Sequence, residues 1–154
     1  MVIDYSATIN RYTPLDAYPL PNISDLVNKI AQYSWFSVLD LKSAYHQVPI
    51  AENEKYFTAF EAAGSLYQLK RVAFGLTNAV AAFQRVIRCH DLKDTFVYVD
   101  DVIIGGKTKS EHDNNLKLFL NMVKIYNITL NDDKCKFDQT KISVLGYEIS
   151  KKKP

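Results

Sequence analysis

Thr95-Phe96-Val97-Tyr98-Val99-Asp100-Asp101-Val102-Ile103-Ile104-Gly105 decides how the rest of the chain is read. It holds two apolar β runs, Phe96 to Val99 and Val102 to Ile104, with two adjacent carboxylates where the chain must turn. That pattern predicts a hairpin with its charge at the tip. A third acid, Asp40, ends another apolar run, Trp35-Phe36-Ser37-Val38-Leu39, and is expected at the mouth of a buried strand. Three carboxylates converging there repel one another and raise each other's pKa unless a cation joins them. Hard divalent ions such as Mg²⁺ take oxygen ligands of this kind and bind substrate phosphates as well.

The totals set wide bounds. A chain of 154 residues, 47% of them hydrophobic, suits a single domain able to bury a real core. Its 19 basic and 17 acidic residues leave a formal charge of +2, so bulk charge neither requires nor excludes a nucleic-acid partner. Such binding has to come from local patches. Cys89 and Cys135 stand far apart with no C-x-x-C pattern, which favours reduced thiols in a cytosolic compartment. No signal-like start and no apolar run near the ~18 residues of a membrane span are present, so a soluble intracellular protein is expected, with no membrane partner.

In chain order, Val2 to Arg11 reads as an edge strand followed by a loop, and Tyr18-Pro19-Leu20-Pro21 as an extended lead-in. Asn22 caps a predicted helix whose apolar face is Ile23, Leu26, Val27, Ile30 and Ala31. Lys42 to Gln47, stopped by Pro49, is too short for a full helix and reads as a helical turn or tight loop. Tyr56 to Phe60 and Leu66 to Leu69 predict a second hairpin. A helix is expected from Thr77 or Asn78, with Ala79, Ala82, Phe83, Val86 and Ile87 on one face.

After Gly105-Gly106, Ser110-Glu111-His112-Asp113 has capping-box spacing for another helix, with Leu116, Phe119, Leu120, Val123 and Tyr126 as its stripe and Asn127 closing it. Ile128 to Leu130, Lys134 to Phe137 and Ile142 to Ile149 read as short strands, and Lys151 to Lys153 as a solvated tail. Setting aside the Tyr56 to Leu69 hairpin, the order from Trp35 is strand, helix, strand, strand, helix, strand. That is an α+β fold, a ferredoxin-like βαββαβ antiparallel sheet with helices on one face.

Phe36-Ser37-Val38-Leu39-Asp40-Leu41-Lys42-Ser43-Ala44-Tyr45-His46-Gln47, Phe74-Gly75-Leu76-Thr77-Asn78 and Tyr98-Val99-Asp100-Asp101, occurring in this order, resemble the palm of a reverse transcriptase from gypsy-type LTR retrotransposons. Asp4-Tyr5-Ser6, Tyr18-Pro19-Leu20-Pro21, Lys134-Cys135-Lys136-Phe137 and Leu145-Gly146-Tyr147 extend the resemblance over nearly the whole chain. One Tyr-Val-Asp-Asp block is a weak signal, whereas several ordered blocks are a strong one. The resemblance implies a polymerase palm at 35–49 and 73–154, partial fingers at 1–34 and 50–72, and a thumb and RNase H domain outside the chain. It also implies a truncated copy of a retrotransposon Pol polyprotein.

By the same resemblance, the chain is expected to be an RNA-directed DNA polymerase, a nucleotidyltransferase taking an RNA or DNA template, a primer and deoxynucleoside triphosphates. Two Mg²⁺ or Mn²⁺ ions ~3.5–4 Å apart serve such chemistry. Asp40 and Asp100 would hold them, with Asp101 as a weaker ligand and the Leu41 carbonyl completing the shell. Tyr45 matches the gate against a ribose 2′-hydroxyl, Phe74 and Gly75 the nucleotide pocket, and Lys134 a position near the leaving pyrophosphate. Gln84 and Tyr98 fall to the template and primer side, and Leu145-Gly146-Tyr147 matches a primer grip. Against the family pattern, Val72-Ala73 and Val80 replace methionine-proline and a small residue, and Gln84 to Tyr98 is about one helical turn short, ~5–6 Å.

Each residue also has a plainer reading. Asp40 alone is as readily a cap, Asp100-Asp101 a turn, and Tyr45 a half-buried aromatic. Gln84 and Lys134 default to the surface. His46, His90 and His112 lack metal-ligand spacing and go to packing or solvent. Lys70-Arg71, Arg85 with Arg88, and Lys107 with Lys109 read first as solvated charge, with phosphate contact as the sharper reading. Two functions therefore stay open: the polymerase palm, and a non-catalytic nucleic-acid-binding or interaction remnant on the same fold. A nucleotide cyclase sharing the topology is disfavoured by Tyr45 and by Leu145-Gly146-Tyr147.

Overall fold

The structure, a computed structural model, describes residues 2–88 and 92–150. The chain forms two compact units, Met1–Tyr18 with Ser43–Val86, and Pro19–Lys42 with Ile87–Pro154.

The first unit begins with a turn and not with the expected edge strand. The Ser6 amide donates to the Asp4 carboxylate at 2.9 Å, and the Thr8 amide to the Tyr5 carbonyl. These local bonds bend the chain into the short helix α1 (Ile9–Tyr12). Tyr5 is buried, and its hydroxyl donates to the Thr58 carbonyl at 2.9 Å. A 3₁₀ turn occupies Ala44–Gln47, the helical one of the two expected alternatives, and a second covers Glu52–Thr58. The second takes Tyr56 to Thr58 out of the expected strand, so the hairpin is β2 (Phe60–Ala62) with β3 (Ser65–Tyr67). Its two-residue turn, Ala63-Gly64, has both φ values positive, the geometry that tight antiparallel hairpins favour. Helix α3 (Ala79–Arg88) follows where its apolar spacing put it, with Ala79, Phe83 and Ile87 buried.

In the second unit, Asn22 caps α2 (Ile23–Ile30) by accepting from the Ser24 and Asp25 amides. Strand β1 (Trp35–Asp40), β4 (Thr95–Tyr98), β5 (Asp101–Gly106) and β6 (Lys136–Gln139) form one sheet in the order β4-β5-β1-β6. All of its pairings are antiparallel. In sequence terms that is the ferredoxin-like order, with the first strand between the third and the fourth. Leu130 makes only an isolated bridge to Leu41, so the expected strand over Ile128 to Leu130 does not form. The last two strands, β7 (Lys141–Val144) and β8 (Tyr147–Ser150), make their own hairpin around Leu145-Gly146, where both φ values are again positive.

Side-chain alternation assigns the two faces of the sheet. Phe36 and Ile103 join Leu26 and Ile30 of α2 and Ile142, Val144 and Ile149 of the last hairpin in one core. Each such side chain contributes about 1.5–3 kcal/mol when fully buried. Ser37 points to the opposite face, where its hydroxyl meets His112 of α4 (Lys109–Ile125) at 2.9 Å. That helix starts two residues earlier than its Ser110 signal suggested: Thr108 accepts from the Glu111 amide, and the Glu111 carboxylate reaches back to the Thr108 amide. Its buried face is His112, Asn115, Phe119, Met122 and Val123, while Tyr126 is exposed. The stripe is rotated because Asn115 spends its amide inside, bonding the Gly105 carbonyl at 2.9 Å and Asp94 at 3.2 Å.

Cys89, His90, Asp91 and the Lys151 to Lys153 tail lie outside the described residues. No described helix is long and apolar enough to cross a membrane.

Candidate active site

The β1 and β5 strands put acids at one end of the sheet. Their register runs from Trp35 opposite Gly106 to Asp40 opposite Asp101, so these two carboxylates are cross-strand neighbours. Asp100 is the second residue of the turn between β4 and β5, and its carbonyl accepts from the Leu41 amide at 3.2 Å. Tyr98 pairs with Asp101 on β4 and packs against the apolar core. All four residues of β4 keep their partners on β5.

Val99, the first residue of that turn, has φ of +55°. A β-branched residue rarely adopts this conformation, so the turn carries local strain at the tip that bears the acids.

Asp40 is anchored through its backbone, its carbonyl accepting from the Asn131 amide at 2.8 Å. The same loop brings the Lys134 ammonium to 3.8 Å from the Asp40 carboxylate, with Lys134 itself largely exposed. The Asp101 carboxyl is held above the ordinary value of 3.8, first by burial and then by the Asp100 and Asp40 charges, with Lys134 opposing. These are the marks of crowded oxygen donors suited to a hard cation. The oxygens of Asp40, Asp100 and Asp101 do not, however, all lie within 4.8 Å of one another; among the described residues only His112, Asp113 and Asp138 meet that spacing. Their place is taken by the Lys109 ammonium, which pairs with both Asp113 and Asp138.

A stability effect follows from the sign of the Asp101 shift. The folded chain binds the Asp101 proton more tightly than the unfolded chain, so this group's contribution falls as pH rises from about 3.8 through the raised value, and stays lowered above it. Asp101→Asn is therefore expected to raise Tm at pH 7 and to lose that advantage by pH 3, as thermal melts at the two pH values would show.

Leu145, Gly146 and Tyr147 form the tight turn from β7 into β8, with Tyr147 about half exposed. The other expected site residues belong to the first unit. Tyr45 is buried, its ring edge-on to Phe74 at 4.9 Å and to Phe83 at 6.0 Å. Gly75 has φ of +92°, and a Cβ there would sit 3.0 Å from the Ile3 carbonyl, so the loop tolerates only glycine without strain. Asn10, which sequence reasoning passed over, clamps this loop: its amide donates to the Gly75 carbonyl, and its oxygen accepts from the Thr77 amide at 2.9 Å. Gln84 is fully buried and is not the surface residue its polarity suggested. Arg85 is tied to Asp16 and lies 4.9 Å over the Tyr18 ring, which accounts for its charge locally.

The family model for reverse transcriptase (RNA-dependent DNA polymerase) matches residues 4–149. The chain belongs to the reverse transcriptase family. Among curated members, a Tf2-3 transposon polyprotein of Schizosaccharomyces pombe is 35% identical over 156 residues, which is 99% of this chain and 12% of the polyprotein. The retrovirus-related Pol polyprotein from the gypsy transposon of Drosophila melanogaster is 36% identical over 155 residues, 98% of this chain and 15% of that protein. The chain thus spans a small part of the polyproteins it matches. Among solved structures, foamy viral protease-reverse transcriptase in complex with RNA/DNA hybrid superposes with a TM-score of 0.86 at 23% identity, over 97% of this chain and 20% of that one. A dRH form in complex with double-stranded DNA gives 0.89 at 24% identity, over 97% and 27%. At these identities the structural likeness speaks for the reverse transcriptase fold.

Proposed function

We propose that this reverse transcriptase domain adds deoxynucleotides to a primer 3′ end on an RNA or DNA template, using two Mg²⁺ or Mn²⁺ ions. The observation that carries this reading is the pairing of Asp40 with Asp101 across β1 and β5, with Asp100 on the adjoining turn. Bound there, divalent ions would supply activation of the primer hydroxyl and neutralisation of the leaving pyrophosphate. Asp40 and Asp100 are assigned as the principal ligands, Asp101 as the flanking one, and the Leu41 carbonyl as a further donor. Asp100 is exposed, so its side chain is free to turn toward the other two.

Lys134, 3.8 Å from the Asp40 carboxylate, is assigned to the leaving phosphates. The buried Tyr45 ring, braced by Phe74 and Phe83, has the rigidity a sugar gate requires. Phe74 and Gly75 are assigned to back the nucleotide, and Gln84, buried on α3, to the template side. Leu145-Gly146-Tyr147 and Tyr98 are assigned to the primer end. Residues 35–49 and 73–154 then act as palm and 1–34 and 50–72 as partial fingers, with a thumb and RNase H domain of the polyprotein completing the grip.

A second reading, a nucleic-acid-binding remnant without catalysis, is favoured by one observation: the three carboxylates are not gathered to ligand spacing. Primer extension separates the two. The folded chain, at high concentration and low salt, is expected to extend a DNA primer on an RNA template with Mg²⁺, and EDTA is expected to stop it. Tyr45→Ala is expected to raise ribonucleotide use relative to deoxynucleotides by roughly 10–100-fold. An unchanged ratio in an active protein would remove Tyr45 from the gate.

A further inference from the structure

We infer that Asn10 and Asn78 are positioning residues: together they latch the 74–78 loop to the N-terminal segment, and so hold Phe74 against Tyr45 at the pocket assigned to the deoxynucleotide. The inference rests on the polymerase reading and adds to it two residues outside the carboxylate site. Every residue it uses lies in the first unit.

The loop needs outside support because of its own residues. Gly75, at φ of +92°, has no side chain to pack, and glycine has the widest backbone freedom of all residues. Phe74 beside it is 55% exposed, so burial alone does not fix its ring. The ring lies edge-on to Tyr45 at 4.9 Å and tilted to His46 at 5.8 Å, and both contacts depend on where the backbone carries it.

The two asparagines supply that support in opposite directions. Asn10 reaches from the N-terminal segment to the loop, donating to the Gly75 carbonyl and accepting from the Thr77 amide. Asn78 reaches back from the loop, donating to the Pro14 carbonyl at 2.8 Å and accepting from the Asp16 amide at 3.0 Å. Both side chains thus bind the same backbone pattern, the carbonyl of one residue and the amide two residues on. An uncharged amide serves both groups at once, whereas a carboxylate only accepts. The far anchor is itself secured, since Arg85 donates to both oxygens of Asp16 at 2.6 and 2.9 Å. A Cβ at Gly75 would lie 3.0 Å from the Ile3 carbonyl, so segment and loop are in close approach at a third point.

Two other clusters carry less. Ser37, His112 and Asp113 align like a nucleophile, base and orienting acid, yet Ser37 and His112 are fully buried and Ser37 also accepts from the Asp138 amide. They act as a pin between α4, β1 and β6. The cation position among His112, Asp113 and Asp138 belongs to Lys109.

The test joins hydrogen exchange to steady-state kinetics on the whole chain. In Asn10→Ala and in Asn78→Ala, amide exchange over residues 74–79 is expected to quicken by on the order of tenfold, the effect of losing a local tie. KM for a deoxynucleotide in Mg²⁺-dependent primer extension is expected to rise about tenfold with kcat unchanged, because the latch acts on nucleotide binding and not on the metal-bound step. Asn10→Asp keeps the oxygen that faces the Thr77 amide and loses only the donor to Gly75, so it carries the test, with a smaller rise in KM, where the alanine variant does not fold. Asn53→Ala, an exposed asparagine of the same unit, is expected to change neither quantity.

Wild-type exchange over residues 74–79 in the variants would remove the latch. Faster exchange with a wild-type KM, or a kcat that falls as far as KM rises, would leave a structural tie with no role at the nucleotide and overturn the inference. If the wild-type chain extends no primer, binding of a fluorescent deoxynucleoside triphosphate with Mg²⁺ decides: tighter binding by wild type than by Asn10→Ala keeps the latch and loses the polymerase reading, and equal binding or none overturns the inference. Extension by wild type with an unchanged KM in the variants keeps the polymerase reading and loses the latch.

Discussion

Asp100→Asn is expected to lower Mg²⁺-dependent primer extension by on the order of 10³-fold, with the fold and nucleic-acid binding intact. The substitution keeps the shape of the side chain and removes only the charge a cation needs. Asp100 is exposed on a two-residue turn, and its backbone carbonyl, which holds the Leu41 amide, is untouched. Stability should therefore stay within about 0.5 kcal/mol of wild type, as for other surface substitutions. Taking away one of the charges that raise the Asp101 carboxyl also removes a repulsion, so the small change should be stabilising. Single-turnover extension beside thermal melts checks both halves. Substantial extension by a folded Asp100→Asn chain would mean that the turn acid is not a ligand.

Gly106→Ala is expected to carry the largest stability loss of any single methyl group in the second unit. A Cβ at Gly106 would lie 2.4 Å from the His112 amide nitrogen and 2.6 Å from its Cα. Those atoms belong to the backbone of α4, which cannot swing aside as a side chain can. Relief means lifting the helix start from β5 and stretching the buried contact between His112 and Ser37. Overpacking of this kind costs about 2–3 kcal/mol, and for a chain of this size Tm should fall by ~5–10 °C. Gly105→Ala makes the informative comparison. Its Cβ would meet the Tyr33 ring at 2.8 Å, a side chain rather than the backbone of a helix, so its loss should be smaller.

The hairpin tip and the strand ending in Asp40 were legible because they rest on alternation and on turn chemistry that neighbouring residues determine, and the sheet order followed from the order of the elements. Asn22 as cap and the brief turn at Lys42 to Gln47 were legible for the same reason. Readings failed where a particular side-chain contact, near or distant, outweighed the residue pattern. Thr108 won the cap from Ser110 because Glu111 is the residue able to reach back to it. Asn115 displaced the apolar stripe of α4 because Asp94 and Gly105, ten or more residues earlier, satisfy its amide inside. Tyr56 and Phe57 read as strand by composition, yet the Lys55–Glu52 pair and the Thr58 hydroxyl on the Lys55 carbonyl wind that segment into a 3₁₀ turn.

The site was legible in its acids and less so in its supports. Asp40 and Asp101 face each other as the motifs implied, and Lys134 joins them. Asn10 gave no sequence signal, since an asparagine in a polar stretch has no periodicity to betray it; its clamp on Gly75 and Thr77 exists only in the fold. Gln84 was misleading in the opposite sense, a polar residue on a helix whose burial no pattern announced.

The central claim is that the strand-end carboxylates, and not the His112 group, take the divalent cation. Manganese binding followed by electron paramagnetic resonance tests it most directly, using the whole chain with a primer–template. Wild type is expected to bind Mn²⁺, Asp40→Asn/Asp100→Asn to lose that binding, and Asp138→Asn to keep it. Retained binding in the double variant, with loss in Asp138→Asn, would contradict the account and move the cation to His112, Asp113 and Asp138.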